Sequence, residues 1–480
     1  METKKLAGLE PASVFGYFEE ICSIPHGSRN TKMISDYLVN FAKDHDLRYI
    51  QDQANNVIIF VDGTCGLESH QPVILQGHMD MVCEKDADCT IDMTAEGVDV
   101  THDNTMVFAK GTTLGADNGI AVATILALAA DPSIAHPPLE LVITSDEEIG
   151  LLGANAIDLS ALNGRQLINL DSEGEGIFTV SCAGGCRTTI SVPVERRAVY
   201  GPCVRLVVDG LQGGHSGTEI DKKRANANKV MGEFLSRIQK LMPLCLTSLA
   251  GGAKDNAIPR SCQAMVVAMG IRLERINDIA QALQAEIREN YAEPDAVVQA
   301  YDVDALGGNA LSTESTAKII ELLCAYPNGV QTMSQDIPGL VQTSLNLGVI
   351  KLGEHFNVTS SVRSSVNAEK EELLSQLKKL AEMFDGAYSQ AGEYPAWEFR
   401  KESSLRDTMV RVYTQLFGHA PQVVALHAGL ECGLFSEKIP NLDCVSIGPQ
   451  MYDVHTSRER VEIASVERTW RFLLAVLQEL

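Results

Sequence analysis

The chain has 480 residues, of which 45% are hydrophobic and 21% are charged, a balance typical of folded globular proteins. Its 63 acidic residues exceed its 39 basic residues and give a formal charge of −24, which opposes any nucleic-acid partner. This length exceeds what one hydrophobic core usually serves, so we expect two domains.

Cysteine usage and apolar runs indicate the compartment. The twelve cysteines include no Cys-x-x-Cys pair, which predicts buried, reduced thiols and neither a disulfide framework nor a zinc knuckle. The N-terminal segment has no apolar signal region, and the longest apolar run, near residues 119–130, is too short to span a bilayer. We therefore expect a soluble, cytoplasmic protein with no membrane partner.

The first 186 residues alternate between helix-like and strand-like patterns. We predict helices at 11–24 and 119–130, and strands at 56–61, 72–82, 139–144 and 166–170. Apolar strands separated by helices favour an α/β fold, with a sheet covered by helices on both faces.

From about residue 187 the pattern becomes that of an α+β domain. We predict strands at 204–208, 263–268, 343–349 and 357–362, and helices at 276–289 and 371–384. A helix at 405–417 and strands at 423–426 and 444–447 then return to the first pattern. The predicted organisation is one domain of residues 1–186 and 397–480, interrupted by a second domain of residues 187–396.

Polar residues at the end of the 72–82 strand are the first candidate site residues. His78 and Asp80 are two positions apart, so on a strand both side chains would point to the same side. A metal-binding histidine usually has its second ring nitrogen held by a carboxylate, and Asp80 is placed for that role. Taken alone, such a pair is more often a hydrogen-bonded structural feature than a ligand.

Carboxylates follow at three further places. Asp117 comes after a glycine-rich loop and before an apolar helix, where it could be a helix cap or a bridging ligand. Glu147 and Glu148 follow the 139–144 strand, where the alternative is a solvated acidic turn. Asp171 follows the 166–170 strand, and His455 lies in a late loop.

The combined pattern is more specific than any of its parts. Three strands end in carboxylate or imidazole groups, and open α/β sheets place their sites at the carboxyl ends of strands. Nitrogen and oxygen ligands without thiolate fit zinc, with cobalt or manganese as alternatives. Two such ions, about 3.5–4 Å apart and bridged by one carboxylate, form a hydrolytic centre.

Seven motifs follow one another along the chain: HMD, GTTLGADNGIA, SDEEIG, NLDSEGEG, GGHSG, NAIPR and HAGLECG. In this order they resemble the aminoacylase/carboxypeptidase-G2 clan of dinuclear zinc peptidases, and within it the bacterial aminoacyl-histidine (Xaa-His, carnosinase-like) dipeptidases. The resemblance covers essentially the whole chain. It implies a three-layer catalytic domain interrupted by an α+β lid domain, and hydrolysis of unblocked dipeptides, with Xaa-His as the expected type.

The resemblance also implies which residues hold two divalent metal ions. His78 and Asp171 would bind one ion, and Asp117 would bridge to the other. Glu148 and His455 would bind that second ion. Zn²⁺ is the expected metal, and Co²⁺ or Mn²⁺ are the alternatives.

Two further residues of the catalytic domain receive catalytic roles from the resemblance. Asp80 would orient His78. Glu147 would act as general base, taking a proton from a metal-bridged water and delivering it to the leaving amine. The Asp117–Asn118 peptide bond is expected to be cis.

Substrate-binding roles follow from the other motifs. His215, near the start of the lid, would polarise the scissile carbonyl, either within its own chain or across a homodimer. Asn256 and Arg363 would hold the substrate carboxylate, for which the planar guanidinium of arginine is suited. Glu431 would contact the substrate amino group.

Three interpretations of the function remain open at this point. The leading prediction is a metallo-dipeptidase that acts on small peptides as a homodimer. An N-acyl amino acid deacylase or a tripeptidase would use the same residues on other substrates. A non-catalytic metal-binding relative is the third alternative, although such proteins typically lose the general base, and Glu147 is present.

Overall fold

The computed structural model describes residues 4–268, 270, 272–305 and 307–480. The chain forms two compact units, the first ending at Cys182 and resuming over Phe399–Ala425 and Leu430–Leu480, the second comprising Ala183–Glu398 and Leu426–Gly429. The functional division predicted from the sequence, with a lid at 187–396, stays a prediction. Among the described residues, no helix combines the length and the apolar character needed to cross a membrane.

Residues up to 182 alternate between helices and strands. The helices are α1 (Ala12–Cys22), α2 (Lys32–Asp44), α3 (Ala116–Ala130) and α4 (Leu152–Ala156). The strands are β1 (Arg48–Gln51), β2 (Val57–Val61), β3 (Val73–His78), β4 (Val100–His102), β5 (Met106–Ala109), β6 (Leu139–Thr144), β7 (Gln166–Asn169) and β8 (Ile177–Cys182).

The middle of the chain is richer in strands. These are β9 (Gly184–Pro193), β10 (Arg196–Tyr200), β11 (Cys203–Asp209), β12 (Gly214–His215), β13 (Leu244–Gly251), β14 (Ala257–Ile258), β15 (Cys262–Ala268), β16 (Val297–Val303), β17 (Gly307–Leu311), β18 (Gly329–Met333), β19 (Val341–Leu352), β20 (His355–Ser364) and β21 (Ala387–Tyr394). The helices are α5 (Ala227–Gln239), α6 (Leu273–Asn290), α7 (Thr313–Ala325) and α8 (Asn367–Met383), with a 3₁₀ turn at Ile220–Lys222.

The last part of the chain returns to shorter strands between helices. Its helices are α9 (Ser404–Phe417), α10 (Cys432–Lys438) and α11 (Ile463–Leu477). Its strands are β22 (Gln422–Leu426), β23 (Asp443–Ser446), β24 (Met451–Tyr452) and β25 (Arg460–Glu462).

An eight-stranded sheet in the order β1-β2-β6-β3-β7-β23-β8-β22 organises the first unit. Its four central strands, β6, β3, β7 and β23, are parallel, so their carboxyl ends meet at one edge. β3 and β6 are buried along their whole length, as expected for parallel strands covered on both faces. The predicted α/β class is confirmed.

Helix α3 is buried nearly all round and packs against α1 and β3. A Cβ atom at Gly119 would come within 3.2 Å of the Phe18 ring, so glycine permits the close approach of the two helices. Asp117 and Asn118 have non-helical backbone angles, and the regular helix starts after them. The predicted start at residue 119 therefore describes the regular part of this helix.

The second unit is built on an antiparallel sheet in the order β16-β11-β15-β13-β19-β20-β9-β21, with β18 also paired to β19. Apolar faces of α5, α6, α7 and α8 pack with this sheet into a separate hydrophobic core. The predicted α+β character of this region is observed. The short pair β12–β14 brings residues 214–215 beside residues 257–258.

Candidate metal centre

The parallel strands of the first unit deliver the candidate ligands to one edge of the sheet. β3 ends at His78, β6 ends three residues before Glu147, and β7 ends two residues before Asp171. Because these strands are neighbours and parallel, the residues that follow them emerge close together.

Asp117 lies between the two histidines. Its Oδ1 atom is 3.2 Å from Nε2 of His78, and its Oδ2 atom is 3.2 Å from Nε2 of His455. One carboxylate therefore presents one oxygen to each imidazole, which is the arrangement that a bridging ligand requires. The Asp117–Asn118 peptide bond is cis, so this expectation is confirmed.

Each histidine has a second carboxylate beside it. Asp171 Oδ1 is 3.5 Å from His78 Nε2, and Glu148 Oε1 is 2.8 Å from His455 Nε2. Potential ligand atoms of His78, Asp117 and Glu148 all lie within 4.8 Å of one another. The structure thus places all five predicted ligands together, as two nitrogen–oxygen pairs that share Asp117. This donor set, without thiolate, fits divalent zinc.

The charge balance at this edge also fits a bound cation. Burial raises the pKa of Asp171 to about 6, and the charges of Asp117 and Glu148 add to that rise. Hydrogen bonds to Asp117 and Glu148 raise the pKa of His455 to about 11. These shifts reflect negative charge that nearby protein groups only partly neutralise, and a divalent ion would supply the missing positive charge.

His78 is 1% exposed at its side chain, whereas His455 is 48% exposed. Burial lowers the pKa of His78, but Asp171, Asp117 and Asp80 outweigh burial and hold the pKa well above its usual value. The site therefore has one sealed side and one side open to water.

Asp80 is held firmly, but not by strand alternation, because β3 ends two residues before it. Its carboxylate accepts hydrogen bonds from Ser28 Oγ at 2.8 Å and from the Glu147 backbone N–H at 3.0 Å. His78 Nδ1 is 3.0 Å from the Asp80 carbonyl oxygen and 3.5 Å from the carboxylate. Both the backbone carbonyl oxygen and the carboxylate of Asp80 therefore lie near Nδ1, the second ring nitrogen of His78. Sequence reasoning did not identify Ser28.

Asn118 is a second residue that sequence reasoning missed. Its side-chain amide donates to the Leu170 carbonyl at 2.9 Å, and its oxygen accepts from the His78 backbone N–H at 3.2 Å. A Cβ atom at Gly77 would come within 2.5 Å of that oxygen, so glycine is needed at this approach. Asn118 therefore ties the Asp117 turn to the ends of β3 and β7.

Two further carboxylates lie in the first unit, that of Glu147, which is half-buried, and that of Glu431, which is buried. Burial raises the pKa of Glu147 well above its usual value, and the negative charges of Asp171 and Glu431 add to this. Glu431 is fully buried, and its Oε2 accepts hydrogen bonds from Gln76 at 2.5 Å and Thr144 at 2.7 Å. Burial also raises the pKa of Glu431, to about 7. Burial therefore favours the protonated form of both carboxyl groups.

The remaining candidates lie in the second unit. His215 Nδ1 accepts from the backbone N–H groups of Gly217 at 3.3 Å and Thr218 at 3.2 Å, which places the ring proton on Nε2. Burial and the positive charge of Arg363 lower the pKa of His215, so the ring is a neutral donor. Asn256 is exposed, and its carbonyl accepts from the Ser216 backbone N–H at 2.9 Å.

Arg363 is mostly buried on β20 and donates from Nη1 to the Tyr394 hydroxyl at 3.0 Å.

His427, which sequence reasoning missed, also belongs to the second unit, and its Nε2 lies 2.8 Å from Ser344 Oγ. Its place in the HAGLECG motif, four residues before Glu431, was the available signal. Burial, with the charges of Arg363 and His215 adding to it, lowers the pKa of His427 to about 3.

We expect His427 to make folding stability depend on pH. Its folded pKa lies below its usual value of 6.5, so the unfolded chain binds a proton that the folded chain rejects. The stabilisation is complete above about pH 6.5 and is lost as pH falls towards about 3. From about pH 7 to about pH 5, wild type should lose about 2 kcal/mol more than His427→Gln.

Urea unfolding of the two proteins at a series of pH values measures this difference. His419→Gln removes an exposed histidine and should follow wild type. Equal pH slopes for wild type and His427→Gln would contradict the prediction.

Comparison with known proteins places this architecture in a protein class. The model of peptidase family M20/M25/M40 matches residues 74–479, and the chain belongs to this family. It is therefore a member of a family of hydrolases that cleave peptide bonds, and the predicted family relationship and enzyme class are confirmed.

Two similar proteins match along their whole length. The "Cytosol non-specific dipeptidase" of Escherichia coli (strain K12) is 36% identical over 481 residues, which cover 99% of each chain. The crystal structure of aminoacylhistidine dipeptidase from Vibrio alginolyticus matches with a TM-score of 0.93 and 35% identity, over 100% of this chain and 98% of that one. Aminopeptidase PepT from Bacillus cereus, at 14% identity, a TM-score of 0.55 and coverage of 98% and 99%, shares the fold.

Proposed function

We propose that this chain is a metal-dependent dipeptidase that cleaves the peptide bond of unblocked dipeptides, with Xaa-His as the preferred type. The observation that carries the proposal is Asp117, whose two oxygens face His78 and His455 separately. The names of the Escherichia coli and Vibrio alginolyticus relatives, each at 35% identity or more over nearly the whole chain, support the dipeptide substrate.

Five residues would hold two divalent ions in this proposal: His78, Asp117, Glu148, Asp171 and His455. Zn²⁺ is the first choice for this donor set, with Co²⁺ or Mn²⁺ as alternatives. When bound, the ions would supply Lewis-acid activation of water and of the scissile carbonyl.

Glu147 is proposed as the group that moves the proton. Its raised pKa suits a carboxylate that takes a proton from the attacking water and passes it to the leaving amine nitrogen. Asp80 orients His78 through Nδ1, and the hydrogen bond from the Glu147 N–H to Asp80 fixes the backbone of the base relative to this pair.

Substrate binding is proposed for four further residues. In the second unit, His215 would donate from Nε2 to the carbonyl oxygen, and Arg363 and Asn256 would bind the substrate carboxylate. In the first unit, Glu431 would bind the substrate amino group. A lid role for residues 187–396, a homodimer and a cytoplasmic location complete the proposal. The cytoplasmic location is supported by the name of the Escherichia coli relative.

Metal removal combined with a substrate panel tests the function. The purified protein would be assayed on free dipeptides with and without C-terminal His, on their N-acetyl forms and on tripeptides. We expect hydrolysis of free dipeptides, loss of activity after chelation, and recovery with Zn²⁺, Co²⁺ or Mn²⁺. Preference for N-acetyl substrates would instead indicate a deacylase, and undiminished activity in the fully metal-free protein would overturn the proposal.

A further inference from the structure

Glu459 is a buried carboxylate that the proposed chemistry does not use. It is 2% exposed and lies in the first unit, four residues after His455. Its two oxygens accept hydrogen bonds from four successive backbone N–H groups: Oε2 from Leu114 at 2.8 Å and Gly115 at 3.0 Å, and Oε1 from Ala116 at 2.8 Å and Asp117 at 3.2 Å.

These four N–H groups belong to the turn that carries Asp117 and precedes the regular part of helix α3. Buried backbone N–H groups need hydrogen-bond acceptors, because leaving them unpaired is costly. Gly115 has no side chain that could serve, and it adopts a left-handed φ of 73°. Glu459 therefore supplies the acceptors from a position more than 340 residues away, and its buried charge is compensated by four hydrogen bonds.

The other end of the connection is the turn that carries His455. The Glu459 N–H donates to the Thr456 carbonyl at 3.0 Å, and the Thr456 hydroxyl donates to the Asp453 carbonyl at 2.7 Å. Arg460 closes the turn by donating to the Asp453 carboxylate at 2.6 Å. Because this turn is bonded within itself, a displacement of Glu459 is transmitted to His455.

We propose that Glu459 is a positioning residue that fixes the spacing between Asp117 and His455, and so sets the affinity of the His455 side of the centre for its cation. One side chain bonds the backbone of Asp117 and belongs to the turn of His455, whose ring lies 3.2 Å from Asp117 Oδ2. The inference rests on the proposed metal-dependent function.

A purely structural role would give a different result. A contact that only stabilises this turn would, when removed, lower the free energy of unfolding and leave metal affinity unchanged. Glu140 provides the matched control, because it is 3% exposed, lies in the same unit, and accepts from the N–H groups of Asn163 at 2.8 Å and Gly164 at 3.0 Å. It lies on β6, away from the carboxyl end of that strand.

The test is a Co²⁺ titration of the metal-free full-length protein, followed by visible absorption, for wild type, Glu459→Gln and Glu140→Gln. In Glu459→Gln an amide –NH₂ faces backbone donors that previously met an oxygen. We expect one of the two Co²⁺ equivalents to bind about 10–100-fold more weakly, as for other groups that orient ligands, and its absorption bands to change. Glu140→Gln should titrate like wild type.

Glu459→Asp gives a second measurement if the glutamine variant does not fold. It keeps the charge but shortens the side chain, so we expect a smaller weakening of the same equivalent. Wild-type affinity for both equivalents in either folded variant would overturn the inference. A wild-type protein that takes up no Co²⁺ would instead contradict the proposed function, so the two failures are distinguishable.

Discussion

Replacing Glu147 with glutamine should lower kcat for dipeptide hydrolysis by about 10²–10⁴-fold, the usual contribution of a general base. Glutamine has nearly the same shape as glutamate but cannot accept a proton at the pH of the assay. The backbone N–H of residue 147, which bonds Asp80, remains in place. We therefore expect metal content to stay at the wild-type level while turnover is lost.

Steady-state kinetics and metal analysis by mass spectrometry check this expectation together. Glu467→Gln, at an exposed position of α11, removes the same charge elsewhere in the first unit and should leave kcat unchanged. A Glu147→Gln protein with near-normal kcat would refute the role assigned to this carboxylate. Combined loss of metal and activity would instead make Glu147 a ligand.

Asp117→Asn should have the largest effect on metal binding. The two oxygens of the native carboxylate share one negative charge, and one of them faces each histidine. Asparagine would instead present one neutral oxygen and one –NH₂ group, which is a donor. We expect the loss of this shared ligand to weaken the binding of both ions. Metal ions stabilise the charge of the transition state by several kcal/mol, so activity should fall by about 10³-fold or more when they bind weakly.

Metal stoichiometry after equilibrium dialysis against limiting Zn²⁺ measures this effect. Asp131→Asn, at the exposed C-terminal end of the same helix, provides the control and should bind like wild type. An Asp117→Asn protein that retains two ions at wild-type affinity would show that the carboxylate does not bridge them.

Local patterns predicted the strands that form the site edge. β6 was predicted at its observed bounds, because a mainly apolar run between two prolines and a polar segment defines a short buried strand. β3 was predicted to continue to residue 82 but ends at His78. The residues beyond it are apolar at alternate positions, but Asp80 is bonded by Ser28 and by backbone N–H groups outside any strand pairing.

The groups that hold the ligands in place were not predictable from local patterns. Glu459 bonds residues 114–117, and Asn118 bonds Leu170, so each contact joins segments that are distant in the sequence. Hydropathy periodicity reports which face of one element is buried, not which distant loop a side chain meets. Only the spacing of Glu459 from His455, which would place both in one turn, offered a local signal.

The order of strands in the second unit was likewise outside local reasoning. Periodicity predicted only some elements of this region, namely strands near β11, β15, β19 and β20 and helices near α6 and α8. Their order, in which β9 lies between β20 and β21, depends on pairings between segments more than 150 residues apart. Such pairings follow from packing of the whole sheet rather than from neighbouring residues.

His78 is buried, whereas His455 is half exposed. Ions bound beside these two histidines should therefore exchange with the solvent at different rates. Small chelators and buffer anions would reach the Glu148 side first, because the imidazole there already contacts bulk solvent. An ion beside His78 and Asp171 would leave more slowly, since its departure requires those buried groups to become hydrated. We therefore expect metal ions to be depleted stepwise, through a long-lived form that holds one ion.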